Sequence, residues 1–403
     1  MFLWPIGRSR WIFVGGLAGV VVSCSVIGCQ EKPSIGPGGT VETTSDADAI
    51  DERSMLVGTW RLVRVERYDH TGIRLTQSPA GTFAAGKSLG WLMYDGAHMA
   101  VVIQGDDLST YSARQPIPND TLAAVTSYLS YFGPYSVNAS EGYVIHHVLG
   151  SLNPGQVGAE YQRYYELEGN QLTLIPPLSC PDSYVRWSSS DARDMGCAYG
   201  TIGIQLKIIW EKVLAQRDIR QNDSKLFGFW AINSVERKTL DGELIGSEQF
   251  SEGYLAYMPS GYMSVQLMRH GRVQYEGVQP SAIETESAMR SYVNYAGSFT
   301  VNADEGYVLH HQAVNLNPNE MDAEVQKDYK VIDDQLVLIP PVRLINSQEI
   351  QSSIHWNRIS TIGRTKRAMS TTGTAASSGI SPTDSINNAR LLTDRVGQRP
   401  RIN

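Results

Sequence analysis

Apolar and polar residues alternate with a period of two along much of this chain, and they do so in two rounds. In Trp60-Arg61-Leu62-Val63-Arg64-Val65-Glu66-Arg67 the alternation is that of a strand with one buried face. Asp69 to Gly72 is the turn that follows it, as Asp241-Gly242 is in the second round. Gly90–Tyr94 and His98–Ile103 form a hairpin, matched later by Gly253–Tyr257 and Tyr262–Leu267. Gly133–Val137 then pairs with Gly142–Leu149, and Glu160–Leu167 with Gln171–Ile175. The last strand is Gly203–Lys212 in the first round and Ser352–Ile359 in the second. The pattern predicts about eight to ten strands per round in near-sequential hairpins, an all-β arrangement. A small sheet of that many strands escapes two exposed edges by closing on itself. Such an interior is filled by side chains or holds one small ligand.

A helical period interrupts the strands once per round, at the same place. Ser281-Ala282-Ile283-Glu284 has capping-box spacing. In the first round Asp120 starts a run whose Leu122, Val125, Tyr128 and Leu129 share one face. Two short amphipathic helices between strands need something to cover, and the open end of a barrel or the rim of its pocket is the expected place.

The two rounds are one domain written twice. YFGPYSVNASEGYVIHHVLGSLNP from Tyr131 returns as YAGSFTVNADEGYVLHHQAVNLNP from Tyr295, 164 positions later. Each copy opens alike, with LVGTW from Leu56 and LFGFW from Leu226, and closes alike, with NQLTLIPP from Asn170 and DQLVLIPP from Asp334. A period this long is far beyond that of a solenoid repeat, so each copy owns a core. The short polar linker from Leu214 to Ser224 should keep the two close.

The termini differ from the body. Trp11–Val22 is a 12-residue apolar run behind Arg8 and Arg10, short for a membrane span and arranged as an export signal. It leads into Val26-Ile27-Gly28-Cys29, which resembles a bacterial lipoprotein signal, in which the cysteine is lipidated and becomes the first mature residue. Residues 1–28 are then the signal peptide and 29–54 a flexible tether rich in Gly, Pro, Ser, Thr and Asp. The absence of Asp beside Cys29 implies the outer membrane or the cell surface, with the membrane reached through the N-terminal lipid. Residues 365–403 read as a disordered tail, basic against a chain of net charge -7. No basic patch clusters in the body, so nucleic acid is not an expected partner. Cys180 and Cys197, 17 positions apart, flank a stretch that the second copy lacks. In an exported protein they are expected to form a disulfide closing that loop, worth roughly 3 kcal/mol in the chain-entropy model.

Both openings carry Gly-x-Trp (Gly58-Thr59-Trp60 and Gly228-Phe229-Trp230), and both last strands end in Trp-x-cation (Trp210-Glu211-Lys212 and Trp356-Asn357-Arg358). With the ordered motifs between them, seen twice, the chain resembles the bacterial lipocalin-like domain family. The resemblance implies two tandem antiparallel β-barrels, each with one short helix. They cover 55–213, with an inserted loop at 178–203, and 225–360. It also implies that a basic side chain, Lys212 or Arg358, lies over the first-strand tryptophan, a contact worth roughly 0.5–2 kcal/mol. Lysine in place of arginine departs from the family pattern.

Chemistry is sparse. No phosphate loop, nucleophile elbow or His-Glu-x-x-His stands out, and neither a metal site nor a cofactor is expected. The duplicated His146-His147 and His310-His311 are the notable pairs. Adjacent strand residues face opposite ways, so each pair puts one ring inside and one outside and cannot clamp one metal. Parity groups His147 with Tyr143 and Ile145, and His311 with Tyr307 and Leu309, while His146 and His310 go with Val144 and Val308. Two apolar patterns of equal strength leave the inward face open. The candidate pocket residues are His147, Tyr143, Tyr94 and Met99 in the first copy and His311, Tyr307, Tyr257 and Met263 in the second. A further set of methionines (Met93, Met258, Met268) could line a cavity or fill it. The leading functional expectation is a membrane-tethered protein binding or carrying a small hydrophobic or amphipathic molecule. An isomerase, cyclase or hydrolase working through His147 with Tyr143, or His311 with Tyr307, is the alternative, with Glu141 or Glu305 as possible partners in acid–base work. A non-catalytic interaction module with filled barrels is the third, and on balance the sequence leans away from an enzyme.

Overall fold

The computed structural model describes residues 52–69, 72–75, 88–105, 110–111, 117–177, 205–214, 224–248, 250–277 and 280–359. The signal peptide, Cys29, almost all of the tether, Cys180 and Cys197 with their loop, and the basic tail lie outside these residues. The last part of the expected tether, 52–54, belongs instead to a helical turn over 52–56.

The first copy holds β1 (Gly58–Tyr68), β2 (Leu89–Tyr94), β3 (His98–Gln104), helix α1 (Pro118–Thr126), β4 (Tyr128–Asn138), β5 (Tyr143–His147), β6 (Gly150–Ser151), β7 (Glu160–Glu168), β8 (Gln171–Ile175) and β9 (Gln205–Val213). The second holds β10 (Gly228–Thr239), β11 (Leu244–Glu248), β12 (Phe250–Tyr257), β13 (Tyr262–Arg269), helix α2 (Ala282–Arg290), β14 (Tyr292–Asn302), β15 (Tyr307–Asn315), β16 (Glu324–Ile332), β17 (Gln335–Ile339), β18 (Arg343–Ile345) and β19 (Gln348–Arg358). In each copy eight antiparallel strands close into a barrel. The first closes through β3–β4 and β1–β9, and the second through β10–β19. In each barrel the first strand meets both the second and the last, as an up-and-down barrel requires.

Each barrel is floored by its Gly-x-Trp. Trp60 stands opposite Lys212 in register, and Trp230 opposite Arg358. Both indoles are fully buried and donate their Nε1–H at 2.8 Å, to the carbonyls of Leu56 and Leu226. Lys212 Nζ lies 5.0 Å from the Trp60 ring centre and donates to the Met55 carbonyl at 3.0 Å. The Arg358 guanidinium lies closer, 3.9 Å over Trp230, and donates to the carbonyls of Phe227 and Lys225 at 2.7 and 2.6 Å while pairing with Asp334. A planar fork can lie flat on the ring and donate several bonds from its edge, whereas an ammonium acts there as a point charge.

The duplicated glycines of the fourth strand also have a geometric cause. A Cβ on Gly133 would sit 1.9 Å from the His147 carbonyl oxygen, and one on Gly297 1.9 Å from that of His311. The neighbouring strand crosses at that point where β14 and β15 shift register, so only glycine fits.

Each helix leaves its barrel at the end away from the tryptophan floor, where Gln104 pairs with Tyr128 in the first copy and Met268 with Tyr292 in the second. The two helices pack on each other between the barrels. Ser281 builds the capping box that its sequence spells: its hydroxyl accepts from Glu284 N–H, and the Glu284 carboxylate accepts from Ser281 N–H. The α1 run ends sooner than its apolar face suggests, because Tyr128 and Leu129 belong to β4. Thr121 on α1 touches Thr285 on α2 at 3.3 Å between hydroxyls, and these two residues occupy the same place in the two copies. A residue meets its own counterpart only on a twofold axis. The surrounding contacts obey the same symmetry: Tyr128 donates to Asn294 at 2.5 Å, and Ser130 lies 3.2 Å from the Tyr292 hydroxyl. The barrels therefore meet through matching patches, as two subunits of a symmetric dimer would. The join is a core in its own right, with Met93, Val102, Phe132, Phe229, Tyr254, Met258 and Met268 buried in it. Met93, Met258 and Met268 thus belong to the join and not to a cavity.

Candidate functional site

The inner face of each barrel is mostly apolar. In the first, Leu92, Met99, Val101, Tyr131, Val144, Leu172 and Trp210 form the interior, and in the second Leu255, Met263, Val265, Tyr295, Val308, Leu336 and Trp356. Towards one side of the interior the packing loosens. Tyr161, Tyr165, Leu167, Leu206 and Ile208 in barrel 1, and Phe250, Val293, Tyr329, Val331 and Ile354 in barrel 2, are only partly buried. An inward side chain in a closed barrel keeps exposure only where solvent reaches the interior.

Within this lining each barrel buries one imidazole. His146 is 1 % exposed and His310 0 %. Tyr94 Oη lies 2.6 Å from His146 Nε2, and Tyr131 Oη 2.9 Å from Nδ1. The second barrel repeats this: Tyr257 Oη is 2.6 Å from His310 Nε2, and Tyr295 Oη 3.2 Å from Nδ1. The topology places the parts. Tyr94 and Tyr257 end β2 and β12, opposite Gly58 and Gly228 near the tryptophan floor, while the histidine strands cross the ends of β4 and β14.

Burial pushes both histidines well below their usual range, with a nearby cation (Arg163 or Lys327) adding to the effect. Both rings are therefore neutral at pH 7. Burial likewise raises all four phenols, so they keep their protons. A neutral imidazole donates from one nitrogen and accepts at the other. In each trio one tyrosine thus donates to the bare nitrogen and the other accepts from the ring N–H, which leaves the accepting tyrosine with a proton of its own to offer. The trio is a fixed polar feature in a greasy interior.

A cation completes each cluster. On β7, Arg163 stands opposite Val144, and on β16, Lys327 stands opposite Val308, and both valines face inward. Lys327 is 7 % exposed, donates to Tyr295 Oη at 2.6 Å and lies 3.5 Å from His310 Nδ1. Burial, with a smaller push from Arg343, brings its amine down to about 7. Arg163 is half-buried and lies over the Tyr161 ring at 4.8 Å.

The enclosed histidine is thus the first of each pair, His146 and His310, which corrects the choice of His147 and His311 for the pocket. His147 is on the outer face, 3.1 Å from Glu160 and 3.1 Å from the Ser136 hydroxyl, and His311 pairs with Glu324 at 2.8 Å. Tyr143 and Tyr307 go out with them: Tyr143 accepts from Asn138 and packs edge-on against Tyr164, and Tyr307 stands opposite Asp328. Glu141 and Glu305 sit in the exposed turns before these strands, so neither meets the buried ring. Tyr94, Met99, Tyr257 and Met263 do face inward. Sequence reasoning missed Tyr131, Tyr295, Arg163 and Lys327. The signal was present: Tyr131 and Tyr295 are identical across the repeat, and each of the strands β7 and β16 carries one cation on its otherwise apolar face.

Among described residues no helix is long and apolar enough to cross a membrane. No curated protein sequence matches the chain. Among solved structures, the chain is similar to a protein of unknown function of the DUF3598 family from Nostoc punctiforme. Identity is 10 %, the match covers 79 % of this chain and 100 % of that one, and the TM-score is 0.21. It is also similar to a double mutant of transferrin binding protein B from Haemophilus parasuis, at 9 % identity over 68 % of this chain and 53 % of that one, with a TM-score of 0.18. The sequence profile described as the lipocalin-like domain matches residues 57–191 and again 227–359. Since that profile falls on both barrels and spans well over half of the polypeptide, the protein belongs to the lipocalin-like domain family, with two copies of the domain in one chain.

Proposed function

We propose that this protein binds a small hydrophobic or amphipathic molecule in the interior of each barrel, and that it does so tethered to a membrane through a lipid on Cys29. The observation that carries the binding reading is the buried His–Tyr–Tyr trio inside an apolar lining that stays partly exposed. A few convergent polar groups in a mostly apolar concavity are the usual composition of a small-molecule site. The same observation weighs against acid–base catalysis by these two histidines. A general base works best when its pKa lies near the working pH, whereas both histidines are held far below it. The tether reading rests on the apolar run and the Val26-Ile27-Gly28-Cys29 sequence.

Two measurements test these readings. Organic extraction of the purified chain followed by mass spectrometry, with uptake of N-phenyl-1-naphthylamine, should show co-purifying apolar material or saturable fluorescence enhancement. No extract and no uptake would sink the binding reading. Expression with a labelled fatty acid should mark the protein, and Cys29→Ser should abolish the label. Label retained in that variant would contradict the anchor at this position.

A further inference from the structure

The interior cations have no counterpart in the trio's own hydrogen-bond needs. Two phenols already satisfy both nitrogens of each imidazole. Burying an ammonium in an apolar barrel is costly unless an opposite charge comes with it. Among described residues no carboxylate lies within ion-pair distance of Lys327, and none pairs with Arg163. The groups that face Lys327 are Tyr295 on β14, His310 on β15 and the neighbouring inward residues Val325 and Tyr329 on its own strand. None of them carries a negative charge at neutral pH. Glu320 and Arg343 act on it only from a distance.

The two copies differ in the kind of cation and agree on its place. Arg163 and Lys327 are 164 positions apart, the offset of the repeat, and both stand opposite the inward valine that precedes the buried histidine by two residues. A requirement for an amine nucleophile would not be met by arginine. A requirement for positive charge is met by both.

We propose that the barrel interiors recognise an amphipathic carboxylate, with the ligand's acidic head group seated on Lys327 in barrel 2 and on Arg163 in barrel 1, beside Tyr295 and Tyr131, and its apolar chain running along the half-buried aliphatic and aromatic lining. This rests on the binding reading above and names the ligand class of the same site. In barrel 2 the donors line up for it. Lys327 donates to Tyr295, which can donate to His310 Nδ1, whose Nε2–H then donates to Tyr257. The head group supplies the negative charge that Lys327 lacks, and a charge-assisted contact is about twice as strong as a neutral one.

The test uses the full chain and three probes of equal chain length: dodecanoate, dodecanol and methyl dodecanoate, titrated calorimetrically at pH 7. Dodecanoate should bind at least about tenfold more tightly than the other two, a difference of about 1.4 kcal/mol. Lys327→Met keeps most of the stem and removes the charge, so it should cost that preference at one site. Lys327→Arg should retain the preference, and Arg163→Met should remove it at the other site. Equal affinity for the three probes in the unaltered protein, or a preference that survives in the double variant Arg163→Met/Lys327→Met, overturns the head-group assignment while leaving apolar binding intact. Failure of all three probes to bind overturns the binding reading itself, and this assignment with it.

Discussion

Barrel 1 and barrel 2 share a plan and differ in how tightly each end of it is fastened. At the floor of barrel 1 a lysine reaches one carbonyl from 5.0 Å off the indole centre, whereas in barrel 2 an arginine stacks at 3.9 Å and holds two carbonyls and a carboxylate. Inside, the order reverses in kind: barrel 1 carries a half-buried guanidinium and barrel 2 a buried amine. Beyond the closed part of barrel 2 the sheet continues, at a place whose counterpart in barrel 1 lies largely outside the described residues. β11 and β18 flank the β10–β19 pair at the end away from Trp230, forming a four-stranded collar with Leu244, Ile245, Leu344 and Ile345 exposed on it. The lesson is that duplication kept the polar trio and the floor as geometry, while the charged groups around them were free to change in type.

The largest expected effect treats the two barrels alike. Trp60→Ala and Trp230→Ala each remove a fully buried indole, and each should cost about 3–5 kcal/mol in urea unfolding. Because the barrels share a core, either change should lower a single transition. Two separate transitions in the unaltered protein would break the picture of one cooperative pair.

Next comes a difference between the barrels that depends on pH. Lys327 is held at about 7 in the folded chain, below its unfolded value, so the unfolded chain binds more protons between roughly pH 7 and 10.4. The cost of burying it is therefore fully present below pH 7 and fades as pH rises through that window. Lys327→Met should raise stability by about 4 kcal/mol at pH 7 and by less than about 1 kcal/mol at pH 10. A gain that does not change with pH would contradict a buried, titrating amine. On the acid side both barrels should respond together. The buried neutral histidines make the folded chain bind fewer protons than the unfolded one below about pH 6.5. Stability should fall there by up to about 1.4 kcal/mol per pH unit for each ring. His146→Phe and His310→Phe should each flatten that slope.

The smallest effect sharpens the floor comparison. Arg358→Ala should cost about 2 kcal/mol and Lys212→Ala about 1 kcal/mol or less, since the first loses stacking and several hydrogen bonds and the second mainly one. Equal losses would show that the closer stacking adds nothing.

Much of the fold was legible in the sequence. Alternation marked nearly every strand, because a sheet with one buried face writes itself at a period of two, and the repeat located the second barrel from the first. The capping box at Ser281 was readable because it is local. The placement of the helices was not, since an amphipathic face says that something is covered without saying what. Parity narrowed the histidines to one inward ring per pair, yet Val144 with His146 and Ile145 with His147 are equally apolar companions, so the inward member had to come from the closed sheet. Tyr131 on β4 reaches His146 on β5 although the residue opposite His146 is Tyr135, a contact that no local pattern links. The trio was therefore hidden although each of its members stood in a repeated motif.

The central claim is that each closed sheet offers an interior site of its own. Native mass spectrometry of the full chain with dodecanoate counts those sites directly. The account predicts complexes carrying one and then two ligands per chain, with Lys327→Met reducing the count to one at limiting concentration. A chain that takes up no ligand, or one whose single ligand is indifferent to both Arg163→Met and Lys327→Met, would contradict it.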